Sequence, residues 1–451
     1  MKALWPFVLA PLLVLAPALE ARAQYVDRPG EWMLAETETI QSSDEDLVLV
    51  SQANTPFVLI SRELDVMAGD LVVLKGQVLA TENRLDGSTG RATVWLANGT
   101  SRVSPLLSKD LKRRGGNHHG GLELDGFLLA DRDQTLVLQL WVKTNGPDMT
   151  FHRSSYSRLM FERYRPTGAG GEGQLLTTLS SARNDRSTFS FGVDAPFSRV
   201  NLLEMDLGPR ALTDRVYLTA RGAAEVRPGT ASIDMFGTEV FFNNQRLSVR
   251  TENATPENYR LTQNAFGWAS PRNAGEARSS VIQAQVYGAN GQGLLTNLQF
   301  ANLQALVFSS VGPGLPLVRV QRLYPSRNLE VLPDGVEVSL GDIPVEVNHR
   351  AVLRVAAQLQ GEGTTGSAPM SCYLRIEVLK DGVVQARSPF ATRYISAAYR
   401  GMALRNEHLF ELTSLGTHLV RPRVKCFGTE ASGTLSLLET GTWTLVDTYG
   451  D

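Results

Sequence analysis

The sequence predicts an all-β chain: three tandem antiparallel β-sandwich domains, jelly-roll or immunoglobulin-like, after a cleaved signal peptide. Three observations carry this. Apolar and polar residues alternate in short runs bounded by Gly, Asn, Asp or Pro, the pattern of half-buried strands, and helical periodicity is almost absent. The order of these runs recurs three times along the 451 residues. The composition, 43% hydrophobic and 20% charged, is globular, and each repeat is long enough to bury its own core.

The N-terminus comes first. Lys2 supplies a positive start, residues 3–19 an apolar run, and Ala21-Arg22-Ala23 small residues at the −3 and −1 positions of a cleavage site before Gln24. Pro6, Pro11 and Pro17 disfavour a membrane-spanning helix. Residues 1–23 are therefore expected to be a signal peptide, with no cysteine at the cleavage point to take a lipid. No later run is apolar enough to span a bilayer. The expected location is secreted, periplasmic or cell surface. Basic residues are mostly Arg, as in a GC-rich bacterial genome, which has no bearing on function.

The repeat is read from four strands in each copy. Opening strands are Leu71 to Val78, Arg215 to Ala220 and Ala351 to Leu359, spaced by about 145 and 136 residues. Second strands are Ala92 to Ala97, Ser232 to Phe236 and Tyr373 to Leu379. A long stretch follows, carrying Ser104-Pro105 in the first copy and Ser388-Pro389 in the third. Late strands are Thr135 to Lys143, Val281 to Tyr287 and Leu419 to Phe427, and final strands lie near Ser157 to Tyr164, Leu303 to Phe308 and Trp443 to Tyr449. Gly- and Ser-rich residues 165–187 and Pro/Gly-rich residues 309–316 read as linkers. The expected domains are 24–165, 188–310 and 317–451, each with roughly seven to nine strands. The long stretch between second and late strands favours the jelly roll.

The two cysteines fall where this scheme places a core. Side chains alternate across a strand. Cys372 shares its parity with Leu374, Ile376 and Val378, and Cys426 shares its parity with Val420, Pro422 and Val424. One opens its strand and the other ends its own, so antiparallel or facing strands bring both thiols together, pointing inward. In an exported chain this predicts a structural disulfide closing a loop of roughly 55 residues and contributing ~3–4 kcal/mol.

Catalytic motifs are scarce. A net charge of −2 argues against a nucleic-acid binder. Serine-hydrolase, zinc-protease, P-loop and EF-hand signatures are missing. Residues 168–173 match G-x-G-x-x-G but lie in the expected linker with no helix to follow. His118-His119 point to opposite faces of an extended strand and have no neighbouring His or Cys in the sequence, so they read as loop histidines, not metal ligands. Asp44-Glu45-Asp46 and Asp131/Asp133 have the loop carboxylates that suit calcium, and they read first as solvated turns. No cofactor is expected.

Outward strand faces say more. In the first copy Val94, Leu96, Leu136, Leu138, Leu140 and Val142 point in, which leaves Thr93 and Trp95 beside Val137, Gln139, Trp141 and Lys143 on the outer face. Trp95 and Trp141 with Gln139 and Lys143 make a candidate glycan platform, because a flat indole with hydrogen-bonding neighbours suits a sugar ring. Packing under a loop or a neighbouring domain is the plainer use of the same face. Phe236, Tyr287, Gln283 and Gln285 correspond in the second copy. In the third, Arg375, Glu377, Arg421, Arg423 and Lys425 read as a salt-bridged or anion-facing surface. The turn and strand Val66-Met67-Ala68-Gly69-Asp70-Leu71-Val72-Val73-Leu74-Lys75 resembles the start of jelly-roll carbohydrate-binding modules, in which a sheet face or the loops take the ligand. The expected function is an exported, non-catalytic structural or adhesive protein that associates with itself or with other surface components. A glycan-binding protein and an extracellular polysaccharide-active enzyme are the alternatives.

Overall fold

The computed structural model describes residues 24–450 apart from 43–44, 50–54, 85–87, 105, 113–118, 147, 154–155, 167–174, 184–187, 192–196, 210–213, 228–233, 255–259, 270–278, 290–293, 309–318, 324–328, 349–350, 365–369, 396–400, 429–432 and 438–441. The expected signal peptide, Asp44, the 309–316 linker, His118 and the G-x-G-x-x-G match lie outside the described residues.

Every regular element described is a β-strand. Twenty-four strands carry the architecture. The first eight are β1 (Gln24–Ile40), β2 (Phe57–Val66), β3 (Leu71–Glu82), β4 (Thr89–Asn98), β5 (Leu107–Lys112), β6 (His119–Leu129), β7 (Gln134–Asn145) and β8 (Arg158–Pro166). The next eight are β9 (Leu175–Arg183), β10 (Phe197–Pro209), β11 (Arg215–Arg227), β12 (Asp234–Phe242), β13 (Gln245–Ala254), β14 (Arg260–Ala269), β15 (Ser279–Ala289) and β16 (Leu294–Phe308). The last eight are β17 (Arg319–Leu323), β18 (Ile343–Val347), β19 (Ala351–Thr364), β20 (Met370–Lys380), β21 (Ala391–Ile395), β22 (Gly401–Leu412), β23 (Gly416–Gly428) and β24 (Trp443–Gly450). All twelve strands read from the sequence are present, residues 232–233 of one of them lying outside the described residues.

The pairing order repeats with the strands. In each set of eight, one sheet runs first–eighth–third–sixth: β1-β8-β3-β6, β9-β16-β11-β14 and β17-β24-β19-β22. The other runs second–seventh–fourth–fifth: β2-β7-β4-β5, β10-β15-β12-β13 and β18-β23-β20-β21. All these pairs are antiparallel, and each set is β-sandwich-like. One apolar core lies within each set, drawn from residues 49–161, 202–307 and 331–446. Inward parity holds as the sequence predicts: Leu136, Leu138, Leu140 and Val142 are buried, while Val137, Gln139, Trp141 and Lys143 are half-buried.

The stretch read as a linker is partly a strand. Leu175–Arg183 pairs with both β1 and β16, so the large sheets of the first two sets are continuous. Its Leu and Thr residues suit a strand, but its Gly- and Ser-rich surroundings disguise it.

The disulfide Cys372–Cys426 forms as expected. The two residues face each other directly across β20 and β23 with Cα atoms 4.1 Å apart, and both are fully buried. The Ser-Pro pair that recurs in the sequence also has one job in both copies. Ser104 Oγ accepts from Leu96 N and Ser388 Oγ accepts from Ile376 N, each at 2.8 Å, which ties the stretch after β4 and after β20 back onto that strand.

The three sets close on one another in a ring. The fifth strand of each lies against the sixth strand of the next: β5 on β14, β13 on β22 and β21 on β6. At the centre the outer faces of the three large sheets meet. Trp32, Leu71, Val73 and Tyr164 of the first set, Tyr217 and Leu306 of the second and Ala356 of the third form a fourth apolar cluster. Trp32 is anchored there by an indole N–H donated to Gly69 O at 3.0 Å, and the turn that presents this carbonyl holds Gly69 at φ +88°, a conformation suited to glycine.

Candidate functional site

Among the described residues, the junction of the three large sheets gathers a dense cluster of buried charged and polar side chains. Inward residues of the opening strands fill the separate cores, so residues of opposite parity face the junction: Lys75 and Gln77 on β3, Tyr217 and Arg221 on β11, Arg354 and Gln358 on β19. Asp125, Arg158, Glu162 and Tyr164 join from β6 and β8, and Arg405, Asn406 and Glu407 from β22.

Lys75 donates to Glu407, sits 3.9 Å from Glu162 and lies 5.0 Å from the centroid of the Tyr217 ring. Tyr217 donates to Glu407 at 3.1 Å and accepts from Arg405 at 2.9 Å. Arg405 also pairs with Glu407, Arg354 with Glu162 and Arg221 with Asp125. Arg158 donates to Asn406 Oδ1 at 2.9 Å, and Asn406 Nδ2 donates to the carbonyls of Leu374 and Pro389. Each pair of sets is thus bridged by at least one buried polar contact.

Burial and countercharge set the protonation states. Burial alone raises the Glu407 carboxyl, but Lys75, Arg405 and Arg354 outweigh it and hold it well below the usual carboxylate range. Burial pushes the phenols of Tyr164 and Tyr217 well up, so both remain hydrogen-bond donors. Burial also lowers His408 well below its ordinary value, helped by the positive charge of Arg158, and keeps it neutral. A small cavity of about 20 Å³ opens among Lys75, Arg158, Arg221, Arg405, Glu123 and Asp125. It has room for a water-sized occupant and is far smaller than a site for a sugar.

Sequence reasoning missed this junction. The signal lay in the opening strand Leu-Val-Val-Leu-Lys-Gly-Gln-Val, which is apolar on both parities before Lys75. A strand apolar on both faces is covered on both.

The expected platform residues do come together. Trp95 and Trp141 are directly opposed across β4 and β7 and stack with ring centroids 5.8 Å apart and planes 8° from parallel. Trp141 donates its indole N–H to Gln139 Oε1 at 3.0 Å, and Gln139 Nε2 reaches Ser61 Oγ at 3.4 Å. Lys143 sits opposite Thr93 on the same face. The indoles use one face on each other, so they make a single paired block in place of two flat shelves.

In the third set the same cross-strand position holds Arg375 opposite Arg423. Arg375, Arg387 and Arg423 converge on buried Glu377 at 2.7–3.0 Å, and Arg421 forks onto Asp342. Of the two readings of this surface, the salt-bridged one describes it. In the second set Tyr287 pairs with Gly237, whereas Phe236 pairs with Gly288, so these two aromatics are not opposed. Their side chains, those of Gln283 and Gln285, and that of His119 lie outside the described residues.

The acidic turns are engaged in hydrogen bonds. Asp133 accepts from Ala68 N, and Asp131 from Gln134. Asp46 accepts from Arg153 N and lies 2.7 Å from His152 Nδ1, while His152 Nε2 lies 2.6 Å from Thr81 Oγ1. With the proton on Nδ1, the imidazole donates to Asp46 and accepts from Thr81. This carboxylate–imidazole–hydroxyl relay has the hydrogen-bond order of nucleophile-activating triads. It also clamps the turn at Glu45–Asp46 onto the strand Met149–His152. Among the described residues no group of three His, Cys, Asp or Glu side chains is placed to hold a metal.

No family model and no curated protein matches the chain. Among solved structures it is similar to an N-glycanase F (PNGase F), at 11% identity over 60% of this chain and 99% of that one, with a TM-score of 0.27. It is also similar to the VP2 subviral particle protein of infectious bursal disease virus, at 11% identity over 92% and 79% of the two chains, with a TM-score of 0.20. Likenesses this distant carry no argument about activity.

Proposed function

We propose that the chain is an exported, non-catalytic structural or adhesive component of a cell surface, matrix or appendage, built from three jelly-roll modules closed into one body. The first–eighth–third–sixth and second–seventh–fourth–fifth strand orders support the jelly-roll reading, because they are those of a double Greek key. Three separate cores support the count of three. The observation that carries the functional reading is the closed ring, with fifth strands on sixth strands around a shared ionic centre. Head-to-tail contacts between modules are consumed inside the chain. Assembly with other copies then uses the outer sheet faces and exposed edges.

Electron microscopy of the purified mature chain beside size-exclusion chromatography tests this. Ordered oligomers or filaments are expected. A uniform monomer that turns over a polysaccharide contradicts the proposal.

A second reading is glycan binding at Trp95, Trp141, Gln139 and Lys143. The half-exposed indole pair with its oriented glutamine supports it. On a glycan array to which the wild type binds, Trp95→Ala and Trp141→Ala are expected to lose signal. Undiminished binding by both variants removes this reading.

A further inference from the structure

We infer that the central cavity is a binding site for one small monovalent inorganic anion of chloride or bromide size, held by Arg158. The inference is independent of what the outer surface binds. Arg158 is 1% exposed and, among the described residues, makes a single hydrogen bond, from Nη2 to the neutral amide of Asn406. Its Nε and Nη1 have no hydrogen-bond partner among the described residues, and neither does Nε of Arg221 across the cavity. The carboxylates that act on Arg158 are Glu123 and Glu407. No carboxylate of the described residues is within ion-pair distance of it, and Glu407 is already shared by Lys75 and Arg405.

The charge balance agrees. Around the cavity Lys75, Arg158, Arg221 and Arg405 face Glu123, Asp125 and Glu407. Just beyond this lining, Arg354 and Glu162 pair with each other. A buried guanidinium cannot shed its proton at ordinary pH, so the missing partner is an anion. A cavity of about 20 Å³ admits a halide or a water. Bound there, the ion sits where all three repeats meet, and its occupancy couples to the closure of the ring.

The test uses the full mature chain. Thermal unfolding is followed in sodium chloride, sodium bromide and sodium gluconate at equal ionic strength and pH, gluconate being too large to enter. The midpoint is expected to rise saturably by roughly 2–4 °C in either halide over gluconate. Arg158→Met is expected to unfold at the same temperature in all three salts. Should that variant not fold, crystals of the wild type soaked in bromide decide by anomalous scattering, where a bromide peak beside Arg158 Nε and Nη1 is expected. Equal midpoints in all salts, or bromide peaks only elsewhere on the surface, overturn the proposal in favour of a buried water.

Discussion

Lys75 and Glu407 form a buried ion pair across 332 residues of sequence, joining the third strand of the first repeat to the sixth strand of the last. Removing one member of a buried pair leaves the other charged and desolvated. Glu407→Gln is therefore expected to destabilise the chain by about 3–5 kcal/mol in urea unfolding. Lys75→Met combined with Glu407→Leu is expected to cost less than the sum of the two single changes. Additive costs would mean that the two side chains do not interact.

Acid acts at two places in separate windows. His408 is held neutral in the folded chain, so below about pH 6.5 the unfolded chain binds one more proton than the folded one. Stability is then expected to fall from pH 7 to pH 5 with a slope approaching 1.4 kcal/mol per unit, and His408→Gln should flatten it. The depressed carboxyl of Glu407 contributes stability above the ordinary carboxylate range, and this is lost only as the pH falls below about 4.5. Urea midpoints across pH 4–8 for both proteins check the sign.

The disulfide closes 54 residues of the third repeat. Cys372→Ala with Cys426→Ala is expected to lower stability by about 3–4 kcal/mol. Peptide mapping without reductant should recover the two cysteines in one linked fragment.

Ser104 and Ser388 are tested in parallel. Each is buried and satisfies one backbone N–H of the fourth strand of its set, so Ser104→Ala and Ser388→Ala should each cost about 1–3 kcal/mol. Hydrogen exchange should quicken at Leu96 N in the first variant and at Ile376 N in the second.

Period-two alternation made much of this legible. It placed Leu374 and Val424 inward, and with them Cys372 and Cys426, before any pairing was known. It also put Trp95 and Trp141 on one face. Parity says which side of a strand a residue takes, not what covers that side. The partners of Lys75, Arg354 and Tyr217 were therefore hidden, because they lie in other repeats. Register is likewise invisible in alternation, which is why Phe236 and Tyr287 read as the counterparts of Trp95 and Trp141. Strand Leu175–Arg183 was hidden by its flanks, although its own residues favour extension.

The most direct test of the closed ring is scanning calorimetry of the full chain. The shared centre predicts one cooperative transition, with calorimetric and van't Hoff enthalpies in agreement, and its separation into several transitions in Glu407→Gln. Three independent transitions in the wild type, unchanged by that substitution, would contradict it.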